Sequence, residues 1–183
     1  AGGVKKCQFF FDEGDDFLVL SADGLSNADL KAGIEVHKKS GAIATMGIKK
    51  IDLEEIPNFG VVVTDEAGFV TGFQEKPSIK EAKSDCINTG IYVFNYKIFD
   101  YIPENTFYDF AKNVFPDLLS KGMKIATFNV DEYWSDIGTI DQYAQSVNDV
   151  FENKVKINHS EIFKTENGSY IKGDDTYIAP TTL

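Results

Sequence analysis

The chain has 183 residues, 43% of them apolar and 13% aromatic, enough to bury the core of one domain. Its 29 acidic and 18 basic residues give a formal charge of -11, which repels nucleic-acid backbones and anionic membrane surfaces and argues against either as a partner. Cys7 and Cys86 form no metal-ligand spacing and no disulfide framework, as expected in a reducing cytoplasm, and no apolar run matches a membrane span.

Phe17-Leu18-Val19-Leu20 is a continuous apolar run that ends in Ser21-Ala22-Asp23-Gly24, the pattern of a buried parallel strand emptying into a turn. A helix is expected next. Asn27 or Asp29 can cap it, Leu30, Ile34 and His37 share one face, Lys38 and Lys39 suit its last turn, and Gly41 can end it. His37 is placed on the helix surface, and neither it nor His159 is given a role. Residues 42–48 read as a second strand, so strand, helix and strand predict a crossover in an α/β sheet. Residues 60–63 and 69–74 flank a turn at 64–68 and form a hairpin that projects from or edges the sheet.

Residues 87–94 are a further apolar strand, after which Asn95 opens a short helical stretch that Pro103 stops. Residues 108–121 are helical, with a kink or restart at Pro116 and an end at Gly122, and residues 124–130 return as a strand. Thr139 can cap a helix in which Ile140, Tyr143, Val147, Val150 and Phe151 keep helical spacing. Beyond about residue 155, Ile157, Ile162, Ile171 and Ile178 punctuate polar turns, compatible with the first coils of a solenoid of short parallel strands.

Ligands of open α/β sheets bind at the carboxyl ends of strands, where Asp23 stands, although an Asp before Gly24 also suits a plain turn. Asp136, just before a helix start, is similarly placed and can equally be a loop or capping carboxylate. Together the two can hold a hard cation such as magnesium, the screen that an anionic substrate needs on so acidic a chain. In Phe73-Gln74-Glu75-Lys76-Pro77, Glu75 can accept hydroxyl hydrogens and Lys76 can clamp a phosphate; the plainer reading is a solvated hairpin end. In Asn88-Thr89-Gly90, Asn88 can read sugar hydroxyls while Gly90 allows close approach, or the three form a bulge.

The order of these stretches carries more than any one of them. FLVLSADGLSNADL at 17–30, Asn58-Phe59-Gly60-Val61-Val62, FQEKP at 73–77, INTGIYVF at 87–94 and YWSDIGTIDQY at 133–143 resemble the sugar nucleotidyltransferases, in that family's own sequence order. Within it the chain looks most like mannose-1-phosphate guanylyltransferases, with glucose-1-phosphate nucleotidyltransferases as near neighbours. The resemblance implies an α/β fold with a mixed, mostly parallel, Rossmann-like sheet. It also implies a partial catalytic domain at 1–153 without its glycine-rich phosphate loop, and a linker with the start of a left-handed β-helix at 154–183. By resemblance, Asp23 and Asp136 hold Mg2+, Glu75 accepts sugar hydroxyls, Lys76 meets the sugar phosphate, and Gly60, Asn88 and Thr89 line the sugar pocket. Gly2, Gly3 and Asp23 match nucleotide contacts, with Gly2 and Gly3 in a loop.

The implied reaction joins a nucleoside triphosphate to a sugar 1-phosphate, mannose 1-phosphate and GTP first, with Lys76, Asp23 and Asp136 as its machinery. A cytoplasmic location goes with it. A non-catalytic regulatory or assembly subunit of the same descent is the alternative. Ala22 and Gly24 depart from the family, which favours Gly before the first Asp and a larger apolar residue after it. Four expectations follow: Asp23 and Asp136 meet across one mixed sheet; Gly60, Glu75, Lys76 and Asn88 line one pocket beside them, walled by Trp134 or Tyr92; the chain alone is inactive; and an open apolar sheet edge favours a homo-oligomer or a partner chain.

Overall fold

The computed structural model describes residues 1–156 and the short strands Ile162–Lys164, Tyr170–Lys172 and Thr176–Ile178. In chain order the regular elements begin with α1 (Gly2–Lys6), β1 (Asp16–Leu20), β2 (Gly24–Ser26), α2 (Leu30–Ser40) and β3 (Ala44–Lys50). They continue with β4 (Gly60–Thr64), β5 (Val70–Glu75), β6 (Cys86–Asn95), a π-helical turn at Phe110–Val114, α3 (Phe115–Ser120) and β7 (Ile125–Asn129). The last are β8 (Trp134–Asp136), α4 (Ile140–Phe151), β9 (Ile162–Lys164), β10 (Tyr170–Lys172) and β11 (Thr176–Ile178). The chain divides into two units, one made of Ala1–Ala22 and Ala28–Asp131, the other of Asp23–Asn27 and Glu132–Leu183.

The first unit is built on a six-stranded sheet of order β5-β4-β6-β3-β7, with β1 also pairing to β6. β6 runs antiparallel to β1, β3 and β4, β5 runs antiparallel to β4, and β3 and β7 are parallel. β1, β3, β4 and β7 thus share a direction and β5 and β6 oppose it, which makes the sheet mixed. The long β6 lies among them and opposes them, so β3 and β7 are the one parallel pair of neighbours among the described strands. One edge of β6 pairs with β3; the other serves β1 along residues 91–95 and β4 at Ile87.

This placement corrects the reading of β1. A buried parallel strand would be apolar on both faces, whereas β1 is antiparallel to β6 and alternates, burying Phe17 while Leu18 and Leu20 are 37% and 50% exposed. The aromatic core lies beneath it. Phe17 stacks on Phe99 with ring centroids 5.1 Å apart, and Phe94, Phe99, Phe115 and Met46 are fully buried.

α2 follows its local signals: Asp29 Oδ1 accepts from the N–H of Ala32 at 3.0 Å, and Gly41 ends the helix at φ 62°. The face it buries is Gly33 and His37, so His37 is not a surface residue. Its Nδ1 lies 2.8 Å from Thr45 Oγ1 and its Nε2 3.3 Å from Asp16 Oδ1, two partners that let a polar ring be buried. The hairpin β4–β5 forms as expected and edges the sheet, and Pro116 stands in the first turn of α3, where a proline's missing N–H costs nothing.

The second unit contains a two-stranded antiparallel ribbon, β2 with β8, and the helix α4. Thr139 caps α4, but the side chains the helix buries are Ser146 and Asp149, while Ile140 and Tyr143 are exposed. Val147, Val150 and Phe151 are half-buried, so the apolar spacing marks only part of the covered face. The helix docks through hydrogen bonds: Asp149 accepts from Tyr133 Oη at 2.8 Å, Gln145 Nε2 at 2.8 Å and Lys154 Nζ at 2.9 Å, and the Ser135 and Ser146 hydroxyls are 3.0 Å apart.

β9, β10 and β11 pair antiparallel in the order β11-β10-β9. Coils of a β-helix stack in parallel, so these strands do not meet that expectation; Ile157 lies outside the described residues. Among the described residues no helix is long and apolar enough to cross a membrane.

Candidate functional site

Three of the expected sugar-binding residues come together in the first unit. Gly60 opens β4 and Glu75 closes β5, and the hairpin register makes them direct cross-strand partners. Glu75 Oε2 lies 3.7 Å from where a Cβ on Gly60 would stand, so the missing side chain leaves the carboxylate uncovered. Both residues and Asn88 line a cavity of about 260 Å3, whose apolar lining is Val61, Phe73, Ala111 and Pro116. Neither Trp134 nor Tyr92 lines it. Phe73 is itself fixed from behind, stacked on buried Phe115 at 5.7 Å.

Asn88 is aimed by a bulge in β6. The register with β3 shifts between Met46 and Ile48, and within that shift Gly90 takes φ 75°, a left-handed conformation that suits glycine. A Cβ there would also sit 2.7 Å from Ser21 Oγ. Asn88 Oδ1 accepts from the N–H of Gly90 at 3.0 Å and its Nδ2 donates to Tyr92 Oη at 2.8 Å, which fixes the amide. Burial pushes the Tyr92 hydroxyl up to about 12 against that hydrogen bond, so it stays protonated. Thr89 is turned the other way: it is buried and its hydroxyl donates to the Gly47 carbonyl at 2.7 Å. Thr89 therefore shapes the bulge from behind, and its side chain does not line the cavity.

Lys76 follows Glu75 but is not among the residues that line the cavity. It is exposed, has φ 44°, and donates its backbone N–H to the Phe59 carbonyl at 3.2 Å. Left-handed backbone at a residue other than glycine costs about 1–3 kcal/mol and is tolerated where surroundings impose it. Gly2 and Gly3 depart from expectation, for they lie in α1 and not in a loop. Gly2 packs closely there: a Cβ at this position would fall only 3.0 Å from the Thr106 carbonyl oxygen.

Asp23 and Asp136 lie in the second unit on the β2–β8 ribbon, not on the large mixed sheet. Asp23 immediately precedes β2, Asp136 pairs with Gly24, and the N–H of Ile137 donates to the Asp23 carbonyl at 3.4 Å. Both side chains are exposed. The ribbon puts these positions at one end of its ladder, Asp136 in the last pair and Asp23 one residue before β2. Carboxylate oxygens are the donor type that a hard cation takes; among the described residues no cluster of three or more His, Cys, Asp or Glu side chains could hold a metal ion.

The nucleotidyl transferase family model matches residues 1–153. The chain belongs to that family. Among curated relatives of this nucleotidyl transferase chain, a UTP--glucose-1-phosphate uridylyltransferase of Synechocystis is 42% identical over 85% of this chain and 40% of its own length. A glucose-1-phosphate adenylyltransferase of Halalkalibacterium halodurans is 32% identical over 83% of this chain and 41% of its own. The chain thus spans about two fifths of the length of the curated relatives it matches. In fold it is similar to a UDP-glucose pyrophosphorylase of Acinetobacter baumanii, with a TM-score of 0.67 and 22% identity over 79% of this chain and 53% of that one. These relatives are uridylyl and adenylyl enzymes of glucose 1-phosphate, so they lend no support to the narrower likeness to mannose-1-phosphate guanylyltransferases.

In this nucleotidyl transferase chain the motifs mark Glu75, Gly60 and Asn88, but not Lys112, which also lines the cavity. Its only local signal is a cap: Asp109 Oδ1 accepts from the Lys112 N–H at 2.9 Å. A capping carboxylate reports a helical start and says nothing about which cavity the following side chain reaches.

Proposed function

We propose that this chain provides the sugar-phosphate pocket and the metal carboxylates of an enzyme that transfers a nucleotidyl group to a sugar 1-phosphate. A phosphate oxygen of the sugar attacks the α-phosphorus of the nucleoside triphosphate, the bond to the β-phosphate oxygen breaks, and pyrophosphate leaves. Such a reaction needs little covalent help from the protein: positioning and charge neutralisation supply most of the acceleration. Glu75 accepts hydrogen bonds from sugar hydroxyls, Gly60 leaves room for the ring to approach the backbone, and Asn88 presents an oriented amide edge. Lys76 meets the phosphate in this reading. Asp23 and Asp136 hold Mg2+, which when bound offsets the charge of the triphosphate.

The observation that carries the proposal is the uncovered Glu75 carboxylate, paired across the hairpin with Gly60 and sharing a cavity with Asn88. At about 260 Å3 that cavity is smaller than pockets for drug-sized ligands and suits a single sugar ring. Because the relatives bear the names of glucose 1-phosphate enzymes, glucose 1-phosphate with UTP or ATP is the first substrate pair to test. Mannose 1-phosphate with GTP is the second. Calorimetric titration of the chain with glucose 1-phosphate and with mannose 1-phosphate tests the pocket directly. Glu75→Gln, which keeps the shape and removes the charge, is expected to weaken binding roughly tenfold. Equal affinity of the variant and the native chain would remove Glu75 from the pocket's function.

A further inference from the structure

The cavity holds two charged side chains, Glu75 and Lys112. Neither has an ion-pair partner among the described residues, and they are not paired with each other. Such a combination calls for a ligand that carries both hydroxyl donors and an anionic group. The backbone that carries Lys112 is held in place. Its turn is anchored by Val114 and Phe115, both fully buried, and by Asp109, whose carbonyl accepts from the N–H groups of Asn113 and Val114 at 3.1 Å each. The turn is π-helical, a form that re-aims side chains and recurs at functional sites. Lys76 and Lys112 are both exposed, but of the two only Lys112 lines the cavity.

We infer that Lys112 is a phosphate-binding and specificity residue of this pocket, a cation that, in addition to Lys76, meets the anionic group of a sugar phosphate whose hydroxyls are read by Glu75. The inference rests on the reading of the cavity as a sugar-phosphate site. It adds a residue from outside the Glu75-Lys76-Pro77 motif and makes the pocket selective for phosphorylated over neutral sugars. Lys112 is exposed apart from its face on the cavity, so its replacement leaves the core untouched.

Calorimetric titration with glucose 1-phosphate, at two or more salt concentrations, tests the inference on the native chain, Lys112→Gln, Lys112→Arg and Lys76→Gln. Lys112→Gln is expected to weaken binding roughly tenfold or more, as loss of a charged hydrogen bond does, and to flatten its dependence on salt. Lys112→Arg retains most of the affinity and the salt dependence. A packing role would move neither the salt dependence nor the difference between Gln and Arg. Native binding with unchanged affinity in Lys112→Gln overturns the role of Lys112 and leaves the pocket standing. Absence of binding to the native chain overturns the pocket reading and the inference together.

Discussion

Replacing Gly47 with alanine tests whether the bulge that aims Asn88 depends on close backbone approach between β3 and β6. A Cβ at Gly47 falls 2.7 Å from Thr89 Oγ1 and 3.2 Å from both Ile91 Cβ and the Phe128 ring. All three neighbours are buried, so none can swing into solvent. Overpacking of this kind costs about 1–3 kcal/mol. Pushing the Thr89 hydroxyl off the Gly47 carbonyl, now 2.7 Å away, adds about 1 kcal/mol. Alanine regains about 0.5–1 kcal/mol because glycine loses more chain entropy on folding, so the steric term wins. The net expectation is a loss of roughly 1–3.5 kcal/mol, read in urea as a midpoint lower by about 0.5–2 M at a slope of about 2 kcal/mol/M. Adding Thr89→Ala removes the atom that is struck first, so the double variant should lose less than the sum of the single losses. A midpoint for Gly47→Ala close to the native one, or strict additivity in the double variant, would refute the reasoning.

Two further outcomes are expected. Asp149→Ala leaves Tyr133, Gln145 and Lys154 without their shared acceptor and should cost roughly 1–3 kcal/mol in the second unit, seen as faster amide hydrogen exchange in α4 and β8; unchanged exchange would show that the network does not hold the helix. Burial holds the His37 imidazole below its ordinary 6.5 while Asp16 pulls the other way, so the unfolded chain takes up a proton first. The stability this contributes is present above 6.5 and is lost as pH falls through the folded value. Urea midpoints should therefore drop more steeply below pH 6.5 for the native chain than for His37→Gln, and parallel profiles would contradict that.

What the sequence discloses is local. Asp29 and Gly41 bound α2, Asn95 and Thr139 cap the stretches that follow them, and Pro116 begins α3, because each of these signals acts through hydrogen bonds or dihedrals within a few residues. Glu75 and Asn88 stand out in their own short stretches and Gly60 through the family resemblance, while the register that pairs Gly60 with Glu75 is seen only in the structure. What stays hidden depends on partners far along the chain. His37 is buried because Asp16 and Thr45, on two other elements, supply its hydrogen bonds. β1 is half exposed because its neighbour is β6, and α4 turns Ser146 and Asp149 inward because Ser135 and Tyr133 wait there. The ribbon of β2 and β8 is three residues a side, too short for alternation to announce, and so pattern alone puts Asp23 and Asp136 on the wrong sheet.

The measurement that bears most directly on the proposed chemistry is pyrophosphate release by a protein that spans the full length of the curated relatives and carries this sequence, with Mg2+, each nucleoside triphosphate, and glucose 1-phosphate or mannose 1-phosphate. It is run beside this chain alone and beside the Asp23→Asn and Asp136→Asn variants of that longer protein. Release is expected only when triphosphate and sugar 1-phosphate are both present, with a loss on the order of 100-fold in either variant, as for removal of one charge-stabilising group, and little turnover by this chain alone. Release that ignores the sugar phosphate, or that survives undiminished in both variants, would contradict the proposed chemistry.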